Sequence, residues 1–251
     1  MELHGRSVLV TGATGGLGQA IARRLRAEGC QLTLTGRRGD VLNSLAEELE
    51  ARAVVADLAS RGDLRRLVDA GQDVDILVAN AGVPGSGELT DYSLDALDRV
   101  IDVNLRAPLA LARELGERML QRASGHVVFI SSLSGKTANP ASSLYNATKF
   151  GVRGFALGLR QDWAGRGVGV SCVNPGPIGT AHDAADVDVA LPAGFRPKVP
   201  ADVAAAVVRA IRHDRAEVDV ADPVMRVGVV LGQVAPQVAA KLNRLADGTT
   251  R

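Results

Sequence analysis

Tyr145 and Lys149 stand four residues apart, and Tyr145 follows Ser132 by thirteen. Positions i and i+4 share one face of a helix, so in a helical segment the Lys149 ammonium can approach the Tyr145 ring. A phenol, an ammonium and a hydroxyl in one place form a set that can move a proton. A phenol of ordinary pKa, about 10, can hold a developing oxyanion and protonate it, but it is a reluctant base. A nearby ammonium stabilises the phenolate and lowers that value. Alone, a Y-x-x-x-K pair recurs by chance on exposed helices. Three serines, Ser131, Ser132 and Ser134, also crowd the same stretch, and physical reasoning alone does not choose among them.

A second chemical feature opens the chain. Residues 11–18 read T-G-A-T-G-G-L-G, after one short apolar run and before an amphipathic segment. Gly12, Gly16 and Gly18 have the context of a phosphate-binding turn, with Thr14 and Leu17 between them. Missing side chains let a backbone approach a pyrophosphate, and a helix start offers unpaired N–H groups and a positive dipole end. The spacing is G-x-x-x-G-x-G, not the common G-x-G-x-x-G. A tight turn without a ligand is the plainer alternative. After the second apolar run comes Gly36-Arg37-Arg38, with no acid before Asp40. An acid here would bind ribose hydroxyls and favour NAD, whereas arginine suits a 2′-phosphate. Arg37 and Arg38 therefore favour NADP(H) over NAD(H). A proton-moving set beside a nucleotide turn points to hydride transfer.

These groups need a scaffold. Short apolar runs at 7–11, 31–35, 53–56, 75–79, 126–130, 169–173 and 217–221 read as strands. Between them, helical patterns cover 17–28, a segment that Asp40 could cap with Val41, Leu42, Leu45 and Leu49 inward, then 62–70, 93–120, 143–164 and 201–213. A bend near Pro108 is expected in the longest. Strands apolar throughout and alternating with helices predict a single α/β domain over 1–251, a doubly wound parallel sheet with helices on both faces.

The chain has 251 residues, 46% hydrophobic and 23% charged, with a net charge of +1 from 29 basic and 28 acidic residues. That is ordinary for a soluble domain, and no basic stripe suggests nucleic acid. Cys30 and Cys172 are too few for a disulfide framework, and Cys172 reads as a small buried apolar residue. With no long apolar segment and no signal-peptide core, a cytoplasmic location away from membranes is the expectation. No cluster has metal-ligand spacing, and His182 is assigned no role.

The ordered set of motifs resembles the short-chain dehydrogenase/reductase family over about residues 7–180. It comprises the turn at 11–18, Asp57-Leu58, Asn80-Ala81-Gly82, Asn104, Ser132, Tyr145/Lys149, Pro175-Gly176 and Thr180. The thirteen-residue spacing in that family selects Ser132 from the three serines. The resemblance implies that Tyr145 is the acid/base, that Lys149 also contacts the nicotinamide ribose, and that Ser132 donates to the substrate oxygen. It implies that Asn104 holds a water linking Lys149 to solvent. Asp57 would meet the adenine edge, and Asn80, Ala81 and Gly82 would stabilise the sheet beside the cofactor. The Ile178 backbone and the Thr180 hydroxyl would orient the carboxamide. Taken singly, Asp57 reads first as an ordinary helix cap and Pro175-Gly176 as ordinary turn chemistry.

Residues 181–199 are poorly periodic and follow Thr180 directly, so a substrate lid is expected there, with Val187, Val189, Leu191 and Phe195 facing an apolar skeleton. The tail from Pro223 carries an apolar run at 227–234, interrupted by Gly228 and Gly232, that suits an interface or core. The resemblance implies a homodimer or homotetramer built on the helices at 93–120 and 143–164. The leading function is reduction of a carbonyl or oxidation of a secondary alcohol. A catalytically silent nucleotide-binding regulator would not need the whole Asn104–Ser132–Tyr145–Lys149 set. An isomerase or dehydratase on the same scaffold is the third class.

Overall fold

The computed structural model describes residues 1–179, 198–235 and 237. Seven strands form one parallel sheet in the order β3-β2-β1-β4-β5-β6-β7. They are β1 (Ser7–Thr11), β2 (Gln31–Gly36), β3 (Arg52–Val55), β4 (Ile76–Ala79), β5 (Gly125–Ile130), β6 (Val168–Pro175) and β7 (Glu217–Val220). The helices are α1 (Gly16–Ala27), α2 (Gly39–Glu48), α3 (Arg61–Ala70), α4 (Leu94–Ile101), α5 (Ala107–Gln121), α6 (Ser143–Asp162), α7 (Pro200–Arg212) and α8 (Pro223–Val234).

The sheet is buried on both faces, which is why its central strands carry apolar residues towards both. In β1, Val8 and Val10 join a cluster with Ile21 and Leu25 of α1 and Val203, Val207 and Ile211 of α7. Leu9, pointing the other way, joins Leu64 and Leu67 of α3 and Leu111 and Leu115 of α5. The doubly wound α/β architecture expected from the sequence is therefore the observed one. β1 pairs with both β2 and β4, so the strand order reverses there. In open α/β sheets such a switch point opens a crevice at the carboxyl ends of the strands. Gly12 and Asn80 stand at that end.

Several expectations need correction. α2 starts at Gly39 with Arg38 at its cap, so Asp40 lies in the first turn, where it still suits the helix dipole. The segment expected as one helix over 93–120 is α4 and α5 joined by a π-turn, Asp102–Arg106. The break precedes Pro108, which sits in the first turn of α5. Pro108 has no N–H for the Asn104 carbonyl four residues back, and in the turn around Asn104 the ladder shifts to bonds of five residues, the Ala107 N–H reaching the Asp102 carbonyl. The apolar run at 227–234 is helical through both glycines. Asp222 caps α8 by accepting from the Val224 N–H at 3.0 Å, and Pro223 suits a first turn. α8 packs through Met225 and Val229 onto Leu133 and Ala221. Among the described residues no helix is long and apolar enough to cross a membrane.

Candidate active site

The glycine turn closes because two positions tolerate no side chain. Gly12 has φ +67°, and a Cβ there would lie 2.7 Å from Ala81 Cα. A Cβ on Gly18 would run into the Gly12 carbonyl oxygen. The turn therefore folds tightly onto the start of α1, where Gly15 and Gly16 are exposed. The Gly15 N–H bonds back to the Gly12 carbonyl at 3.2 Å, and within α1 the first N–H to find a carbonyl is that of Gln19, on Gly15 at 2.9 Å. The N–H groups of Gly16, Leu17 and Gly18 are the ones that every helix start leaves without a partner inside the helix. Leu17 is half-buried and Thr14 buried, its side chain seated against Gly36. The Thr14 carbonyl accepts from the Arg38 guanidinium, so Arg38 is bound to the turn. Arg37 is exposed and makes no ion pair among the described residues.

β1 and β4 are stitched together at the switch point. The Thr11 hydroxyl accepts from the N–H groups of Asn80 and Ala81, both at 3.0 Å. The Asn80 amide donates to the carbonyls of Thr11 (2.9 Å) and Gly12 (3.3 Å). This holds the exposed Gly82 in place. Leu58 is buried in the core. The Asp57 carboxylate accepts from the Ala59 N–H at 3.0 Å and from Arg99 on α4 at 3.1 and 3.3 Å. Arg99 and the stitching role of Thr11 went unread in the sequence. Thr11 begins the glycine motif, which is a signal of a kind. For Arg99 there is none, because it lies 42 residues from its partner.

Asn104 lies in the π-turn, buried, and its amide grips the backbone of Val83. Oδ1 accepts from the Val83 N–H at 2.8 Å, and Nδ2 donates to the Val83 carbonyl at 3.0 Å. The same Nδ2 reaches the Thr148 hydroxyl at 3.5 Å, and that hydroxyl donates to the Tyr145 carbonyl at 2.8 Å. The side chain of Asn104 is thus spent on fixing the exit of β4 to α6. Its backbone carbonyl cannot be served by Pro108, which carries no N–H.

Tyr145 and Lys149 occupy successive turns of α6. The Lys149 ammonium lies 5.5 Å from the Tyr145 ring centroid and donates to the Ile130 carbonyl, at the end of β5, at 3.1 Å. The residue is only 4% exposed, and among the described residues it has no carboxylate partner. A Cβ on Gly82 would stand 3.8 Å from Lys149 Nζ. The geometry also separates the three serines. Ser131 is buried and donates to the Lys149 carbonyl at 2.9 Å. The Ser134 hydroxyl accepts from the Asn139 amide at 3.1 Å. Ser132 is half-buried; its hydroxyl accepts from the Ser134 N–H at 3.1 Å and makes a long 3.4 Å bond to the Pro175 carbonyl. Asn104, Ser132, Tyr145 and Lys149 therefore gather at the ends of β4, β5 and β6. The turn, Arg37, Arg38 and Asp57 sit on the β1–β3 side. Burial pushes the Cys172 thiol up to about 12 and the Cys30 thiol up to about 11, so neither is a ready nucleophile.

Residues 6–188 match the family model for short chain dehydrogenases. The chain belongs to that family. This short-chain dehydrogenase/reductase is 42% identical over 186 residues to nodulation protein G of Rhizobium sp. (strain N33), covering 72% of this chain and 76% of that one. It is 34% identical over 220 residues to an uncharacterized oxidoreductase of Staphylococcus aureus (strain N315), covering 85% and 94%. The solved structure of a short-chain dehydrogenase from Sphingobium yanoikuyae in complex with NADPH superposes with a TM-score of 0.80 at 26% identity, covering 96% of each chain.

In this short-chain dehydrogenase/reductase, Pro175 ends β6 and Gly176 donates to the Val220 carbonyl at 3.0 Å. Ile178 forms a parallel bridge with Lys198. Thr180 and nearly all of the expected lid at 181–199 lie outside the described residues, as does most of the tail beyond α8.

Proposed function

We propose that the protein transfers a hydride between NADP(H) and a carbonyl or secondary alcohol, with Tyr145 as the general acid/base. The observation that carries this reading is the Lys149 ammonium: buried, without a carboxylate among the described residues, beside a phenol and next to the open face of Gly82. A buried cation without an anionic partner is costly. The site makes sense if it serves a phenolate and the hydroxyls of a ribose.

The chain fits such a cofactor where a Cβ would not. Gly12 and Gly18 leave the turn bare, and the start of α1 offers N–H groups to a pyrophosphate. Asn80, Ala81 and Gly82 would stabilise the sheet edge beside the cofactor, while Pro175, Gly176, Ile178 and Thr180 would meet the nicotinamide end. Asp57 reaches an adenine edge only by sharing its carboxylate with Arg99. Arg37, exposed and unpaired among the described residues, is the better phosphate ligand than Arg38. When bound, the reduced nicotinamide supplies the hydride.

The protein's own groups handle the oxygen and the proton. Ser132 donates to the substrate oxygen, giving up a bond to Pro175 that at 3.4 Å is already weak. Tyr145 gives its proton to the same oxygen, or takes it in the oxidation direction. Lys149, tethered to the Ile130 carbonyl, stabilises the phenolate without having to be reoriented. Asn104 would hold a water that returns a proton to Lys149. Exposed Leu94, Ile101 and Phe150 on α4 and α6 support pairing of subunits through these helices.

The deciding experiment is Tyr145→Phe, assayed by NADPH absorbance and by cofactor titration. Hydride transfer should be abolished while cofactor affinity stays nearly intact. Turnover near the wild-type level would remove Tyr145 from the proton step.

A further inference from the structure

An ion cluster lies beneath the site on the α5/α6 side of the sheet. β7 is an edge strand, yet it carries two inward carboxylates at alternate positions, Glu217 and Asp219. They meet Asn174 of β6, which is wholly buried and donates to Glu217 at 3.1 Å and to Asp219 at 2.9 Å. Two cations complete the cluster. Arg153 pairs with Glu217 through two bonds, at 2.7 and 3.1 Å. Lys136 reaches Asp219 at 2.8 Å and Glu217 at 3.5 Å. Burial opposes the Glu217 charge, yet Arg153, Lys136 and Asn174 hold its carboxyl below the usual range.

What the two cations are attached to gives the cluster its meaning. Lys136 closes the short turn that begins at Ser132; its own N–H bonds to the Leu133 carbonyl at 2.9 Å, and the Gly135 N–H bonds to the Ser132 carbonyl at 2.9 Å. Arg153 follows Tyr145 and Lys149 on α6 at the i, i+4, i+8 spacing that keeps all three on one face. Asn174 precedes Pro175, whose carbonyl receives the Ser132 hydroxyl. Both carriers of the proposed proton chemistry are thus anchored to the same two carboxylates.

We propose that Glu217 and Asp219 are positioning residues of the reaction: by clamping Lys136 and Arg153 to one strand they set the Ser132 turn against the Tyr145 helix. The proposal rests on the hydride-transfer reading above. Inward charges on an edge strand also discourage sheet-to-sheet aggregation, and that purely structural role is the rival. The rival predicts no change in the chemical step.

The test compares wild type, Asp219→Asn, the double variant Lys136→Met/Asp219→Asn, and Tyr145→Phe, with NADPH and acetophenone, cyclohexanone and ethyl acetoacetate. Removing both partners of the ion pair leaves no stranded charge, so the double variant should fold. Misplacing reacting groups by a fraction of an ångström slows chemistry by about tenfold or more. We expect kcat to fall at least about tenfold in the clamp variants, with NADPH affinity within about twofold of wild type. The isotope effect from NADPH deuterated at C4 should rise, because hydride transfer becomes more rate-limiting. Unchanged kcat and isotope effect in a folded double variant would overturn the clamp. If that variant does not fold, Glu217→Gln, which keeps the shape and weakens only the charge, is judged by the same readouts. Wild type inert on all three ketones, or an active Tyr145→Phe, would remove the hydride-transfer reading and the clamp with it. An inert Tyr145→Phe beside fully active clamp variants would remove the clamp alone.

Discussion

His126 gives a pH prediction whose size can be worked from the structure. It lies on β5, 2% exposed, with Nε2 2.9 Å from the Ser171 hydroxyl on β6. Burial pushes its pKa down from 6.5 to about 4; the Asp214 carboxylate opposes that shift, while the N-terminal ammonium and Arg160 reinforce it. Below pH 6.5 the unfolded chain takes up a proton that the folded chain refuses. Stability present above pH 6.5 is therefore lost as pH falls towards 4, and the loss levels off once the folded state also binds the proton. A shift of this size corresponds to about 3 kcal/mol, at about 1.4 kcal/mol per unit. His126→Gln can still reach Ser171 and does not titrate. Urea unfolding followed by fluorescence of the single tryptophan, the buried Trp163, gives the stability of both proteins from neutral pH down to pH 4. The wild-type advantage should shrink by about 3 kcal/mol over that range, since titrations common to both proteins cancel. A difference constant to within about 0.5 kcal/mol, the ordinary scatter of such comparisons, would refute the assignment.

Three further outcomes follow from the site. Gly18→Ala drives a methyl into the Gly12 carbonyl and should weaken NADPH binding by calorimetry at least about tenfold, or about 1.4 kcal/mol; unchanged affinity would mean the turn is not the cofactor cradle. Arg37→Ala should weaken NADPH far more than NADH, and equal losses would remove the case for a phosphate clamp. Asn104→Asp deletes the donors that hold the Val83 carbonyl and should cost about 1–3 kcal/mol in chemical denaturation, together with activity; a stable, active variant would show that the grip on Val83 is dispensable.

Much of the architecture was legible because strands buried on both faces carry apolar residues towards both, as Val8, Leu9 and Val10 do. Element ends were less so. Asp40 looked like a cap, but the residue at the cap of α2 is Arg38, and nothing local distinguishes a cap from a first-turn acid. Pro108 signalled a break, yet a proline disturbs the carbonyl it cannot serve, four residues upstream, so the irregular turn formed around Asn104. The run at 227–234 looked like a broken tail because of its glycines; the cap at Asp222 and the proline after it decided for a helix. In the site, residue types and spacing identified the reacting set, while the partners that hold it came from elsewhere in the chain. Arg99 on Asp57, Val83 on Asn104 and Ser131 on Lys149 are tertiary contacts with no sequence period to reveal them.

The apolar layer shared by α1 and α7 bears on how this chain is made. Ile21 and Leu25 are covered by Val203, Val207 and Ile211, which leave the ribosome about 180 residues later. Until then the side of α1 that meets α7 is bare, and the nascent first half must persist with a greasy, unsealed surface. Pairings so distant in sequence are slow to form and leave intermediates prone to stick to one another. Truncation before α7 should therefore yield a species that holdase chaperones retain, even though every residue of the nucleotide turn is already in place.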